Sequence, residues 1–362
     1  MKNIRQCVGI DCSKDTLDTA INFLDENFQT KIHATEVFEN NDKGFKRLMK
    51  WMHKLCLKDM PCQVVVEATG VYHEQLAYAL VNNGFTISIV LPNKIRNYCR
   101  STDIRTVTDK ISAKQISEFG LVKKLDNWII PDKIYTQLKA LSRERIQLSD
   151  EKTAASNQLH AFKHAALTLS STAHRSAKRI KFIEQQIQQI EDEMKQLVKE
   201  HSTLKEKIEK ICSIKGLGFI TVVSIIAETN GFNLVRNHRQ VVCYAGYDII
   251  VKDSGTSVRS KPRISHKGNK YIRRALHFPA LTAVKYNVPL ENLYNRIYDK
   301  QNIKMKGYVA VQRKLLILIY TLWNKDEAYN PEYVHSSIKN LEQPNKTALT
   351  ELDHVRSLNF IC

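Results

Sequence analysis

The sequence predicts an α/β domain followed by long helices and a mainly helical C-terminal domain. Three observations carry this. Over the first hundred residues, short β-branched and apolar runs alternate with amphipathic segments. Residues 132–212 contain neither Gly nor Pro and repeat apolar side chains at heptad spacing. Beyond 212, apolar helices return around a dense basic run.

The elements run in order along the chain. CVGID at 7–11 is an apolar run ending in a carboxylate and reads as a strand; LDTAINF at 17–23 and IHATEVF at 32–38 read as the next two. Residues 41–55 place Phe45, Leu48, Trp51, Met52 and Leu55 at helical spacing, so an amphipathic helix comes next. QVVVE at 63–67 is β-branched enough for a buried strand. A helix over 72–82 stops at Asn83-Gly84, and FTISIVL at 85–91 is a strand closed by Pro92. Three leading strands, a helix, then strand–helix–strand is the order expected of a ribonuclease-H-like domain, here 1–130.

In the next region Ile180, Ile183, Ile187, Ile190, Met194 and Leu197 alternate spacings of three and four, continuing through His201, Leu204, Ile208 and Ile211. Ile134, Leu138, Leu141, Leu148, Ala155, Leu159 and Phe162 fit the same repeat, with Arg145 and Lys152 interrupting it. Residues 131–212 therefore read as a coiled coil, antiparallel or dimerising, with a break at Ser170-Ser171-Thr172. Residues 213–325 form a C-terminal domain with helices over 220–228, 275–286 and 307–323, and 326–362 a polar tail.

The chain has 55 Lys and Arg against 37 Asp and Glu, a formal charge of +18 over 362 residues. That excess points to a polyanionic partner, nucleic acid first. A hydrophobic fraction of 43% excludes wholesale disorder. The longest apolar run, 315–320, is too short for a bilayer, and the N-terminus lacks a secretory apolar region, so no membrane is expected. Eight cysteines without CxxC or zinc-finger spacing read as buried or incidental thiols in a reducing cytoplasm. His160 and His164 lack the glutamate of HExxH and read as helix surface.

Several residues can carry chemistry. Asp11 ends the first strand and Glu67 the fourth. If these strands are neighbours, two hard oxygen ligands meet at one end of the sheet, as Mg²⁺ prefers. Strand-end acids also occur as solvated charges or helix caps. Asp109 comes directly after Thr108, a candidate N-cap, and favourable placement at a helix start explains it equally well. Lys215-Gly216-Leu217-Gly218 resembles the turn of a helix-hairpin-helix, whose amides hold a phosphate, and also fits a simple tight turn. Residues 252–274 hold eight Lys and Arg against one acid, Asp253. Arg259, Lys261, Arg263, Lys267, Lys270, Arg273 and Arg274 are dense enough there for backbone-phosphate contact. Ser254 opens this run as a candidate nucleophile toward phosphorus, and Ser257 and Ser260 qualify equally by composition.

Taken together, these stretches resemble the DEDD-type insertion-sequence transposases of the IS110 family, which includes the Piv/MooV DNA invertases. The resemblance lies in VGIDCSKDTLD (8–18), FENNDKGFKRLMKWM (38–52), VVVEATGVYHEQLAYAL (64–80), TDKISAKQISEFG (108–120), ICSIKGLGFITVVSIIAETNGF (211–232), YAGYD (244–248) and SGTSVRSKPRISHKGNKYIRRAL (254–276). It implies a RuvC-like N-terminal domain, a coiled-coil linker and a C-terminal transposase domain. It also implies a bacterial, nucleoid-associated recombinase that cuts and rejoins element ends and target DNA under the direction of an element-encoded bridge RNA. By the same resemblance, Asp11, Glu67 and Asp109 match acids that bind Mg²⁺ or Mn²⁺. Ser254 matches a serine that becomes covalently linked to DNA, in a dimer or tetramer.

One position departs from the family pattern. TDxxD is here Thr108-Asp109-Lys110-Ile111-Ser112, so a neutral hydroxyl stands one helical turn from Asp109 in place of the fourth acid. Weakened or rearranged metal binding is expected. Glu118 lies on the opposite side of that helix, and Asp103 would have to fold back. Two rival readings remain: a RuvC-like structure-specific nuclease using water, and a catalytically impaired nucleic-acid-binding protein.

Overall fold

The computed structural model describes residues 2–102, 108–167, 169–251, 253–254, 258–259 and 262–332, in two compact units, Met1–Ile130 and Pro131–Cys362. In the first unit, β1 (Asn3–Cys12), β2 (Thr16–Asp25) and β3 (Thr30–Glu39) form an antiparallel meander. Helix α1 (Asp42–Leu55) leads to β4 (Cys62–Glu67), which lies parallel to β1. Helix α2 (Glu74–Asn82) leads to β5 (Ile87–Val90), parallel to β4. The sheet order is β3-β2-β1-β4-β5, the strand–helix pattern expected from the sequence. Helices α3 (Pro92–Ser101) and α4 (Asp109–Val122) complete the unit.

Side-chain alternation sorts the sheet into two faces. Val8, Ile10, Leu17, Ile21, Val64 and Val66 pack with Phe45, Leu48 and Met52 of α1 and Leu76 and Leu80 of α2. Cys7, Leu24, Val65 and Val90 pack with Ile95 of α3 and Ile116 and Phe119 of α4. Gly9 lies between these layers, on the α4 face. A Cβ there would come within 2.3 Å of the Ala113 carbonyl oxygen and the Ser117 amide nitrogen. Glycine thus lets α4 lie directly on β1. Gly9→Ala is expected to cost about 3 kcal/mol in chemical denaturation; unchanged stability would show that α4 does not need this close approach.

One expectation changes here. Pro92 does not merely close a strand: it occupies the first turn of α3, where its missing N–H costs nothing. Asp103 lies outside the described residues.

The second unit opens with α5 (Lys133–His164) and α6 (Ser170–Lys199), which pack as a helical hairpin. Arg145 pairs with Glu191 at 2.6 Å and Lys152 with Glu184 at 2.9 Å, a constant antiparallel register. The two residues that interrupt the apolar repeat are therefore the hairpin's cross-links. The break falls before Ser170, which is already the first residue of α6. The apolar seam also does not run through one helix: α6 ends at Lys199, and α7 (Ser202–Cys212) starts after His201, whose backbone, at φ −118° and ψ 88°, departs from the helix.

The base of the hairpin shares a core with the later helices. Leu138, Leu141, Ile190 and Met194 join α8 (Phe219–Glu228), α9 (His238–Ala245), α10 (Lys270–Tyr286), α11 (Val288–Gln301) and α12 (Lys304–Lys325) in one apolar cluster. Between α9 and α10, β6 (Ile249–Ile250) pairs with β9 (Arg263–Ile264), and β7 (Asp253–Ser254) pairs with β8 (Val258–Arg259). Among the described residues no helix is long and apolar enough to cross a membrane. The expected polar tail lies outside the described residues from 333 onward.

Candidate active site

The alternation that builds the sheet also places its acids. Asp11 is two residues beyond Gly9 and shares the α4 face of β1. Glu67 is two residues beyond Val65 and shares the same face of β4. Ile10 pairs with Val66 in parallel register, so the two carboxylates emerge side by side at one end of the sheet. Asp109 is the first residue of α4, capped by Thr108, whose hydroxyl accepts from the Ile111 amide at 3.3 Å. Because α4 lies on β1 and β2, its N-terminus reaches the same end.

The electrostatics record the crowding. Burial, then the charges of Asp109 and Asp18, push Asp11 up to about 6. Burial and the Asp11 charge push Glu67 up to about 7, with Arg96 of α3 pulling the other way. Ser112, standing in for the fourth acid, places its hydroxyl near Asp11 and favours the ionised form. A hydroxyl at this position stabilises one neighbouring carboxylate instead of adding a charge.

Asp18 joins this group without having been a candidate from the sequence. It sits directly opposite Asp11 across the β1–β2 ladder, and burial together with Asp109 raises its pKa while Lys110 lowers it. Like charges directly opposite on a ladder are destabilising, so the pair marks a site rather than a fold requirement. The sequence does carry a signal for it: a turn at Ser13–Thr16 forces 11 to face 18. Glu118, by contrast, accepts from Gln115 Nε2 at 2.9 Å and takes no part.

Donor chemistry decides how these acids could hold a metal. Among the described residues no three His, Cys, Asp or Glu side chains are placed to share one ion. The acids instead influence one another in pairs, Asp11 with Glu67 and Asp11 with Asp109. A pair of carboxylates with water and phosphate completing the shell is a normal Mg²⁺ environment. The residues fit an ion in that form and do not form an all-protein cage.

In the second unit Ser254 is exposed on β7, with its backbone held against Val258. Ser257, Ser260 and Lys261 lie outside the described residues, and of Arg259 only the backbone is described. The basic run does not act as a uniform patch. Lys270, Arg273 and Arg274 lie in the first turns of α10, which starts five residues earlier than expected because Asn269 caps it. Arg273 donates to the Ala245 carbonyl at 2.7 Å, and Arg274 pairs with Asp150. Arg263, Lys267 and Lys270 are exposed.

The segment before α10 is held by backbone bonds: Asn269 N–H to Tyr244 O at 2.7 Å and His266 N–H to Gly246 O at 3.2 Å. Beneath it, buried Glu228 accepts from Arg143 at 2.7 Å and from Asn269 at 2.7 Å, linking the hairpin to the start of α10.

Arg273→Ala is therefore expected to lower the melting temperature without changing the salt slope of DNA binding. Lys267→Ala should leave stability alone and reduce that slope by about one. Equal effects on both readouts would contradict this division.

The glycine turn resolves in part toward packing. Gly216 has φ of +103°, and a Cβ there would meet the Ala283 backbone nitrogen at 2.9 Å, so a close approach to α10 explains it. Lys215 and Gly218 are exposed, and Gly218 starts α8 with no side-chain cap and open space around it.

Comparison with known proteins agrees with this picture. A family model described as a transposase matches residues 8–162, and a model of the IS116/IS110/IS902 transposase family matches 208–295. The chain belongs to the IS110 family of transposases. Over 331 residues it is 26% identical to the pilin gene-inverting protein of Moraxella bovis, covering 89% of this chain and 97% of that one. The pilin gene-inverting protein of Moraxella lacunata matches at the same identity and coverage. RuvC of Thermus thermophilus, solved with a Holliday junction substrate, aligns with 34% of this chain and 99% of its own at 12% identity and a TM-score of 0.25. The sheet order, not that score, carries the fold assignment. Family membership makes this chain a DNA-cutting and rejoining protein, and the acids of the first unit are the place to look for the cutting chemistry.

Proposed function

We propose that this chain is a bridge-RNA-guided DNA recombinase that cuts DNA through Ser254 with the help of ions held by Asp11, Glu67 and Asp109. The observation that carries this is the arrival of those three acids at one end of the sheet on the α4 face. Bound Mg²⁺ or Mn²⁺ supplies Lewis-acid stabilisation of charge at the scissile phosphate. The chain's own residues do the rest. Asp11, shared between its two partners, orients both carboxylate pairs, and Asp18 adds negative charge from the adjoining strand. Ser112 brings a hydroxyl that favours the ionised Asp11 carboxylate.

The Ser254 hydroxyl attacks phosphorus, loses its proton, and forms a serine–DNA phosphodiester as the leaving strand end departs. That link conserves the energy of the broken bond for rejoining. Arg263, Lys267 and Lys270 neutralise backbone phosphates beside the serine. In the family the acids of one subunit serve the serine of another, so the working form is a dimer or tetramer.

The test uses the full chain, element-end DNA carrying a trapping nick, its bridge RNA and Mg²⁺. A protein–DNA adduct on a denaturing gel that needs both RNA and metal supports the proposal. A free nicked strand with no adduct supports hydrolysis by a RuvC-like nuclease. Salt-sensitive binding with no cleavage supports an impaired binder, the reading that Ser112 favours.

A further inference from the structure

Two of the eight cysteines, Cys56 and Cys62, stand side by side. They flank the loop between α1 and β4, and their sulfurs lie 3.5 Å apart. The loop they bracket is already fixed: the Gln6 amide donates to the carbonyls of Leu57, at 2.7 Å, and Met60, and its oxygen accepts from the Leu57 amide at 2.8 Å. Both cysteines are half-buried and line one open cavity of about 470 Å³ together with His53 and Lys58. No other pair of cysteines among the described residues has its sulfurs in contact.

We propose that Cys56 and Cys62 form a reversible dithiol–disulfide site that a small peroxide entering this cavity oxidises. The chemistry balances with the peroxide as oxidant. The Cys56 sulfur attacks one peroxide oxygen, the O–O bond breaks, and a sulfenic acid forms with release of water. The Cys62 sulfur then displaces the hydroxyl, forming the S–S bond and releasing a second water, so two thiols are oxidised for one peroxide reduced.

Two features favour Cys56 as the attacking sulfur. The Cys62 thiol donates to it and holds Cys56 below the ordinary thiol range. The same bond, and then burial, push Cys62 up, so it keeps its proton until the second step. The bridge would tie the C-terminal end of α1 to the first residue of β4, the strand whose far end carries Glu67. The loop bonds to Gln6 keep the two residues close, with their sulfurs 3.5 Å apart before any bond forms.

The test treats the full-length protein with hydrogen peroxide, blocks remaining thiols with an alkylating agent, and digests with trypsin without reduction. Cleavage after Lys54 and Lys58 separates Cys56 from Cys62. The expected result is a linked pair of peptides lighter by two hydrogens than its parts and released by dithiothreitol. It should form at a rate independent of protein concentration, and before exposed Cys243 is consumed. Cys62→Ala should leave Cys56 as an alkylation-resistant, dithiothreitol-reducible species, and Cys56→Ala should leave Cys62 reduced. Near-ultraviolet circular dichroism confirms that each variant is folded. Alkylation of both cysteines after Cys243 has been oxidised would overturn the proposal, as would a Cys56–Cys62 link that appears only after denaturation.

Discussion

Asp11→Asn is expected to reduce Mg²⁺-dependent strand cleavage about a thousandfold while leaving DNA and RNA binding intact. Asp11 stands at the centre of the acid group: it neighbours Glu67 on the parallel strand, opposes Asp18 on the antiparallel one, and feels Asp109 from α4. Removing its charge breaks up both of the carboxylate pairs proposed to hold metal, and it leaves the charges of the basic run unchanged.

The same substitution has an opposite effect on stability. Asp11 is raised to about 6 and Glu67 to about 7, so the folded state binds their protons more tightly than the unfolded chain does. Stability is therefore lost as pH rises from the ordinary carboxylate range through about 6 to 7. Above that window the full penalty is present, reduced by the solvent that reaches these half-buried groups. Without metal at about pH 8, Asp11→Asn should melt a few degrees higher than the parent. At about pH 4 the gain should shrink, because folded Asp11 is then protonated and no longer carries the charge that the site penalises. Added Mg²⁺ should raise the parent's melting temperature more than the variant's. A variant that gains nothing without metal would contradict the crowding of these acids.

Ser254→Ala is expected to abolish the covalent adduct and leave binding within about twofold, since one exposed hydroxyl carries no phosphate charge. The serine lies on a short ladder, so alanine in its place keeps the backbone pairing with Val258. Adduct formation that survives this change would move the nucleophile elsewhere.

Periodicity decides how much of the fold and site is legible in the sequence. The inner strands β1, β2 and β4 are readable because they alternate between two covered faces, and the same alternation brings Asp11 and Glu67 to one side; β3, at the edge, buries only Phe38. Asp18 is equally readable once the hairpin turn is counted, but an acid inside a strand looks like an ordinary exposed position. Charge density is the poorer guide. Arg273 and Lys267 look alike in the basic run, yet one is tied to the Ala245 carbonyl and the other is exposed. The start of α10 is obscured for a related reason: Lys270, Arg273 and Arg274 resemble loop charges, and the cap at Asn269 is visible only through its bonds to Tyr271 and Ile272. Arg145 and Lys152 look like faults in a heptad repeat, because their partners Glu191 and Glu184 stand on the other helix of the hairpin.

Digestion of a trapped protein–DNA complex, then mass spectrometry of the nucleotide-bearing peptide, tests the account most directly. It predicts a phosphodiester on Ser254, formed only with divalent metal and lost in Asp11→Asn. A nucleotide on Ser257, Ser260 or a tyrosine, or cleaved DNA with no modified peptide, would contradict it.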